Sequence, residues 1–212
     1  MLAEAVKSTD ELLRLLEIDP ASMNILPLAS NFPLRVPRGF IRRMAKADIN
    51  DPLLRQVLPL ADEMQASSGY LSDPLDEQQA MQVPGLRQKY RGRSRLTTTG
   101  ACAVQCRYCF RRHFPYSEAN PASGDWEPTI NWLKQNPDIR EIILSGGDPL
   151  SLPDSRLHRL SKRLDELPWL NTLRIHTRLP VVLPERIDEG FLCWVEAQKL
   201  QLVMVVHSNH PN

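Results

Sequence analysis

Apolar residues follow two rhythms along this chain, and the change between them falls near residue 93. Before that point the pattern is helical but short. Ser8-Thr9-Asp10 supplies a cap for a helix carrying Leu12, Leu13, Leu15 and Leu16, which Pro20 stops. Asp51-Pro52 sets a cap and a proline at the first helical position ahead of Leu53, Leu54, Val57 and Leu58, and Pro59 ends the run. Pro27, Pro33 and Pro37 between these runs, and Gly69, Pro74, Pro84 and Gly85 after them, mark loops. Residues 1–92 therefore read as a small helical, loop-rich region. Its arginines Arg35, Arg38, Arg42 and Arg43 read as a solvated face, because acidic residues balance them.

From residue 93 short β runs alternate with helical periods. Arg93 to Thr99, Glu141 to Leu144, Thr172 to His176 and Gln201 to Val206 read as strands. Between them, Ile130 and Leu133 mark one helix, Leu157, Leu160, Leu164 and Leu167 a second, and Ile187, Phe191, Trp194 and Val195 a third begun by Pro184. Cys193 is placed with that third stripe as a buried, inert thiol. Apolar strands alternating with helices predict an α/β fold, a parallel sheet with right-handed crossovers. In such folds sites gather where strands end. The four strand ends here carry the segment after Thr99, then Ser145-Gly146-Gly147-Asp148, His176-Thr177-Arg178 and His207-Ser208-Asn209-His210. All four are expected to open on one face.

Composition narrows the class without naming it. The chain has 212 residues, 42% of them apolar, which suffices for a packed core and one or two domains. A net charge of +1 gives no reason to expect nucleic acid or an anionic membrane as partner. No apolar run approaches the ~18 residues of a membrane span, and the first residues lack a signal-peptide layout. Four cysteines without a disulfide framework suit a reducing compartment, so a cytoplasmic location is expected.

The segment after the first strand holds the chemistry. Cys102, Cys106 and Cys109 are spaced C-x3-C-x2-C, close enough to converge on one small object. A zinc site would take a fourth ligand, for which His113 is the only nearby candidate. An electron-transfer [4Fe–4S] cluster would take a fourth cysteine, and Cys193 is remote in sequence. Three thiolates on a four-iron cluster instead leave one iron open for chemistry.

That spacing resembles the cluster motif of radical S-adenosylmethionine (SAM) enzymes. The wider run CAVQCRYCFRRHFPY at 102–116, with SGGDPL at 145–150 and RIHTRLPVVLPERI at 174–187, is similar to the lysine 2,3-aminomutase branch, in particular its elongation factor P β-lysylation type. The resemblance implies a helical region over 1–92 followed, over 93–212, by the first half of a radical SAM, TIM-like parallel β/α barrel. A whole barrel takes about 250 residues and only about 120 follow residue 92, so an N-terminal fragment, inactive by itself, is expected. Its sheet would have two unpaired edges, near Leu96 and near Met204.

By the same resemblance, Cys102, Cys106 and Cys109 hold a [4Fe–4S] cluster. SAM is held by Tyr108, by the turn Ser145, Gly146, Gly147 and Asp148, and by His176 and Arg178, with His207 and Asn209 as similar candidates. In that turn the glycines would admit a ligand close to the backbone and the aspartate would meet the SAM ammonium group. Pyridoxal 5′-phosphate (PLP) is contacted by Tyr90 and Arg93, while its Schiff-base lysine and the carboxylates for the substrate ε-ammonium belong beyond residue 212. Arg111 holds the substrate carboxylate; read from the residues alone, Arg111 and Arg112 are either surface charge, an offset to thiolate charge or a carboxylate-binding fork, and His113 reads as structural. The implied reaction converts α-lysine to β-lysine through a SAM-derived 5′-deoxyadenosyl radical, for elongation factor P modification. Implied partners are lysine, a flavodoxin or ferredoxin reductant, elongation factor P with its ligase, and a second copy of the chain. Two rival readings are an aminomutase acting on another amino acid and a non-catalytic iron–sulfur or zinc module.

Overall fold

In a computed structural model the protein is described at residues 4–22, 33–65, 69, 77, 79–112, 114, 116 and 125–211. The chain divides into two compact units. One comprises Met1–Pro74, Ala103–Phe114 and Ser208–Asn212; the other comprises Leu75–Cys102 and Pro115–His207.

The described residues of the first unit form short elements. Helix α1 (Thr9–Leu15) starts at Ser8, whose hydroxyl accepts from the Glu11 amide, and it buries Leu12 and Leu13 while Leu15 stays exposed. An antiparallel bridge joins Val6 to Val36, and α2 (Arg38–Ile41) buries Phe40 and Ile41. Asp51 caps as expected: Oδ1 accepts from the amides of Leu53 at 2.9 Å and Leu54 at 2.8 Å. The capped element is one 3-10 turn, Leu54–Gln56, because Pro59 follows too soon for a longer helix. Its apolar neighbours Leu53, Leu54, Val57 and Leu58 are all buried. In the arginine-rich piece Arg38 pairs with Glu11 at 2.6 Å, in keeping with a charge-balanced surface.

The second unit is built on one six-stranded sheet in the order β1-β2-β3-β4-β5-β6. These strands are Met81–Val83, Leu86–Tyr90, Arg93–Thr99, Glu141–Gly146, Thr172–Thr177 and Gln201–Val206. β3 to β6 are mutually parallel, whereas β1 and β2 run antiparallel ahead of β3. The protein is thus α/β with a mostly parallel sheet. The hairpin corrects the helical reading of residues 81–90. Pro84-Gly85 is its turn, with Gly85 at φ 79°, and a second turn at Gly92 with φ 77° returns the chain into β3. As a result β2 covers the outer edge of β3, so the unpaired edge expected near Leu96 is filled. The parallel ladder ends at β6, where Val205 and Val206 are exposed.

Helices α3 (Glu127–Gln135), α4 (Asp154–Asp165), α5 (Leu179–Val182) and α6 (Glu189–Glu196) connect the strands. The leucine stripe of α4 is buried at Leu157, Leu160 and Leu164. α6 begins later than Pro184 implied: Pro184–Arg186 is a separate 3-10 turn, and Asp188 caps the helix by accepting from the Phe191 amide at 2.9 Å. Phe191 and Trp194 are buried, but Cys193 is exposed, contrary to expectation. One residue before Trp194 is about 100° away around the helix, off the apolar stripe.

Alternation sorts the sheet residues onto two faces. Leu86, Leu96, Ile142, Leu144, Leu173 and Ile175 share one register and are almost wholly buried. The intervening positions Arg87, Arg95, Ile143 and Arg174 lie on the other face and line a cavity.

Candidate functional site

Within the first unit, the segment after Cys102 is pinned to the N-terminal residues. Gln105 donates its amide to the Arg35 carbonyl at 3.0 Å, and Arg107 donates to the Gln56 carbonyl at 2.8 Å. The chain then coils through successive turns, Cys109 N to Cys106 O, Arg112 N to Cys109 O and Phe114 N to Arg111 O. The Glu63 carboxylate joins both ends of this coil, accepting from Arg107 Nε at 2.6 Å and from an Arg112 terminal nitrogen at 2.5 Å. Burial alone would raise the Glu63 pKa. The bonds from Arg112, from the Leu60 amide and from Arg107 outweigh it and hold the carboxyl below its ordinary value.

Burial pushes the Cys109 thiol up, and the neighbouring Cys106 adds to that, against a bond from the Arg111 amide and the charges of Arg111 and Arg112. A ligand that neutralised thiolate charge would relieve this penalty. Arg111 is 6% exposed, with its guanidinium 4.9 Å from the centre of the Phe110 ring. Tyr108 is exposed and donates its hydroxyl to Asn209 Oδ1 at 3.0 Å, linking two of the anticipated residues. Cys106 and Cys109 lie in this unit and are half-buried, as is Cys102, where the other unit's stretch ends. Among the described residues no three His, Cys, Asp or Glu side chains are grouped as ligands of one metal ion. His113 lies outside the described residues.

In the second unit the turn at the end of β4 is closely packed backbone. Gly146 has φ 124°, and a Cβ there would stand 2.6 Å from the Thr99 carbonyl oxygen. At Gly147 it would stand 2.2 Å from the Ala101 oxygen. The amides of Gly147 and Asp148 donate to those same two carbonyls, at 2.7 and 2.8 Å. The glycines thus admit the protein's own backbone, the Thr99 and Ala101 carbonyls, on the side that a Cβ would occupy. Asp148 is likewise engaged. It is buried and accepts from Thr177 Oγ1 at 2.7 Å, the Arg178 amide at 2.7 Å and the Leu150 amide at 3.1 Å. Burial raises its pKa while those bonds oppose the rise. Its carboxylate clamps the ends of β4 and β5 together, a role that differs from the expected meeting with an ammonium group. Ser145 is buried beneath this turn, and Tyr116 donates its hydroxyl to the Gly146 carbonyl at 2.9 Å.

His176 and Arg178 have different surroundings. Arg178 is buried at the start of α5, whereas His176 lines the sheet cavity with Tyr90 and Arg93. The amide of His207 donates to the Thr177 carbonyl at 2.9 Å, which extends the ladder past β6.

The cavity itself measures about 330 Å³. Five cationic side chains line it, Arg87, Lys89, Arg93, Arg95 and Arg174, together with the carboxylate of Glu77. Glu77 bridges Arg87 at 2.8 Å and Arg95 at 3.0 Å, and Arg87 also donates to Thr97 Oγ1 at 2.5 Å. Glu141 pairs with Arg174 and lies 4.0 Å from Arg93. The Arg93 guanidinium stands 5.7 Å from the Tyr90 ring centre. Guanidinium forks around a half-open space suit a multiply charged oxyanion such as a phosphate. Arg87, Arg95, Arg174 and Glu77 are cavity residues that the sequence reading did not single out. The signal was present for three of them, because Arg93/Arg95, Arg87/Lys89 and Arg174/His176 each alternate with period two on what became one face.

No family model matches the chain. Curated proteins do. The chain is 46% identical over 213 aligned residues to the L-lysine 2,3-aminomutase of Escherichia coli (strain K12), covering all of this chain and 62% of that protein. It is 46% identical over 181 residues to the protein of that name from Haemophilus influenzae, covering 85% of this chain and 54% of that one. It is 38% identical over 211 residues to the one from Buchnera aphidicola, again 62% of that protein. The chain therefore spans between half and two-thirds of the length of these relatives.

Proposed function

The chain belongs by sequence to the L-lysine 2,3-aminomutase family, and we propose that it carries the cofactor-binding portion of an isomerase that converts α-lysine to β-lysine with a [4Fe–4S] cluster, SAM and PLP. The match over the whole chain carries this reading. The residues present fit two of the three groups. Three half-buried cysteines at the C-x3-C-x2-C spacing are a donor set for a four-iron cluster with one iron open. The cation-lined cavity beside Tyr90 and Arg93 has the charge and room for the PLP phosphate. The Ser145–Asp148 turn fits SAM less well, because its carboxylate and its close backbone approach are both engaged within the protein.

When bound, these groups supply a carbon-centred radical and a conjugated carrier for the migrating nitrogen; the chain supplies placement and exclusion of water. Cys102, Cys106 and Cys109 ligate iron. Arg93 and Lys89 neutralise phosphate charge, and Tyr90 offers a ring face. Arg111, buried and stacked on Phe110, holds the substrate carboxylate as a planar fork that a point charge would not replace. Tyr108 and Asn209 give a joined polar and aromatic edge for SAM. The barrel architecture, a cytoplasmic setting, an electron-donating flavodoxin or ferredoxin, and supply of β-lysine to elongation factor P are parts of the same proposal. No helix among the described residues is long and apolar enough to cross a membrane.

Anaerobic reconstitution tests the reading. The chain should take up about four irons, with a visible spectrum that SAM alters. Cys102→Ala, Cys106→Ala and Cys109→Ala should each lose the iron, and Cys193→Ala should keep it. Zinc binding without iron uptake, or loss of iron in Cys193→Ala, would contradict the three-thiolate site.

A further inference from the structure

We propose that Glu63 is a positioning residue for the cysteine loop: one carboxylate gathers Arg107 and Arg112, which bracket Cys109 in sequence, and so fixes the loop's shape and local charge. The inference rests on the reading that this loop holds an iron–sulfur cluster. Glu63 accepts from Arg107 Nε at 2.6 Å and from Arg112 at 2.5 Å, and its own place is set by the Leu60 amide at 3.0 Å. The segment from 107 to 112 is thereby closed at both ends, with the Cys109-to-Cys106 and Arg112-to-Cys109 turns inside it.

An ordinary surface ion pair has a different environment. Lys46 and Glu17 pair at 2.5 Å with side chains 64% and 63% exposed, whereas Glu63 is 12% exposed and its arginines 18% and 23%. Exposed pairs contribute little, but a shared carboxylate withdrawn from water holds both partners in one geometry. It also reduces the charge of the trio from +2 to +1. With iron in place, that charge bears on reduction potential, because positive charge near a cluster favours its reduced form. The contacts lie 44 and 49 residues apart in sequence, so no local pattern announced them.

The test loads the purified chain with ferric iron, sulfide and a thiol reductant under anaerobic conditions and compares wild type, Glu63→Ala, Glu63→Gln and Glu17→Ala. It reads iron loss to a chelator and the midpoint potential. Glu63→Ala should lose iron about 10-fold faster, at the low end of what outer partners of metal ligands contribute. Glu63→Gln, which keeps shape and removes charge, should lose iron at an intermediate rate. Both Glu63 variants should shift the potential to less negative values by a similar amount, and Glu17→Ala should match wild type in each readout. A merely structural Glu63 would leave the potential unmoved. Should Glu63→Ala fail to fold, Glu63→Gln carries the potential measurement alone. Glu63 variants indistinguishable from iron-loaded wild type in both readouts would overturn this inference and leave the cluster reading standing. A wild-type chain that takes up no iron would overturn both.

Discussion

The cysteine loop and the turn after β4 are both irregular backbone that places polar groups, yet they are held by different means. The loop depends on side chains: Glu63 spans to Arg107 and Arg112, and two carbonyls, those of Arg35 and Gln56, receive its amides. The turn depends on the ladder. β3, β4 and β5 are in parallel register, and Gly146, Gly147 and Asp148 lock their ends with short main-chain contacts. A loop held by a few charged contacts is open to adjustment by single substitutions and by pH. A turn held by a ladder should instead resist small changes and fail together with the sheet when its clamp is cut.

Cutting that clamp should give the largest effect. Asp148→Ala leaves Thr177 Oγ1 and the Arg178 and Leu150 amides without their buried acceptor. Each buried donor so left costs ~1–3 kcal/mol, and partial relaxation brings the sum to about 3 kcal/mol of unfolding free energy. Asp148→Asn keeps one acceptor oxygen and should lose roughly half as much. Urea denaturation checks both, and a wild-type midpoint for Asp148→Ala would return Asp148 to the role of a ligand-binding carboxylate.

An intermediate effect is expected on the cavity face of the same sheet, where substitution should alter binding without altering stability. Arg93 is half exposed and lies 4.0 Å from Glu141, so its removal disturbs little packing. Arg93→Ala should weaken PLP binding about 10-fold, the loss of one charge-assisted contact, with an unchanged melting temperature. Titration with PLP followed by absorbance measures this. Equal affinity in variant and wild type would place the phosphate elsewhere.

How much of this was legible beforehand follows the same division. The four parallel strands, the α4 stripe and the Asp51 cap were readable because each is a local pattern of spacing or capping. The cysteine triad was readable as a motif. The hairpin over 81–90 was misassigned because Pro84 and Gly85 punctuate a loop and a tight β-turn alike. Cys193 was misplaced by one helical position, enough to take it off a stripe that Phe191 and Trp194 define. Asp148 was read as open to a ligand because its partners Thr177 and Arg178 come from the next strand, 29 and 30 residues on. Glu63 and Glu77 left no trace in any local pattern, since the value of each lies in arginines distant in sequence.

The smallest expected effect is also the most specific to the loop. The folded-state pKa of Glu63 lies below the ordinary value, so its ionised form stabilises the native state. The sign follows from linkage. That stability is complete above the unfolded-state carboxyl pKa of about 4.3, and it is lost as pH falls through the lowered folded value. Glu63→Gln should therefore melt below wild type at neutral pH, by an amount equivalent to ~1 kcal/mol or less because the site is partly solvated. The gap should hold steady down to roughly pH 5 and narrow as pH falls further and the wild-type carboxyl takes up its proton. Asp148→Asn offers the contrast within one molecule. Burial has raised that carboxyl's pKa, so its contribution to the pH dependence has the opposite sign. Thermal denaturation of wild type and the two variants at a series of pH values separates them. If the Glu63→Gln gap stayed constant to pH 3, the Glu63 contacts would owe their strength to shape, and charge would have no part in holding the loop.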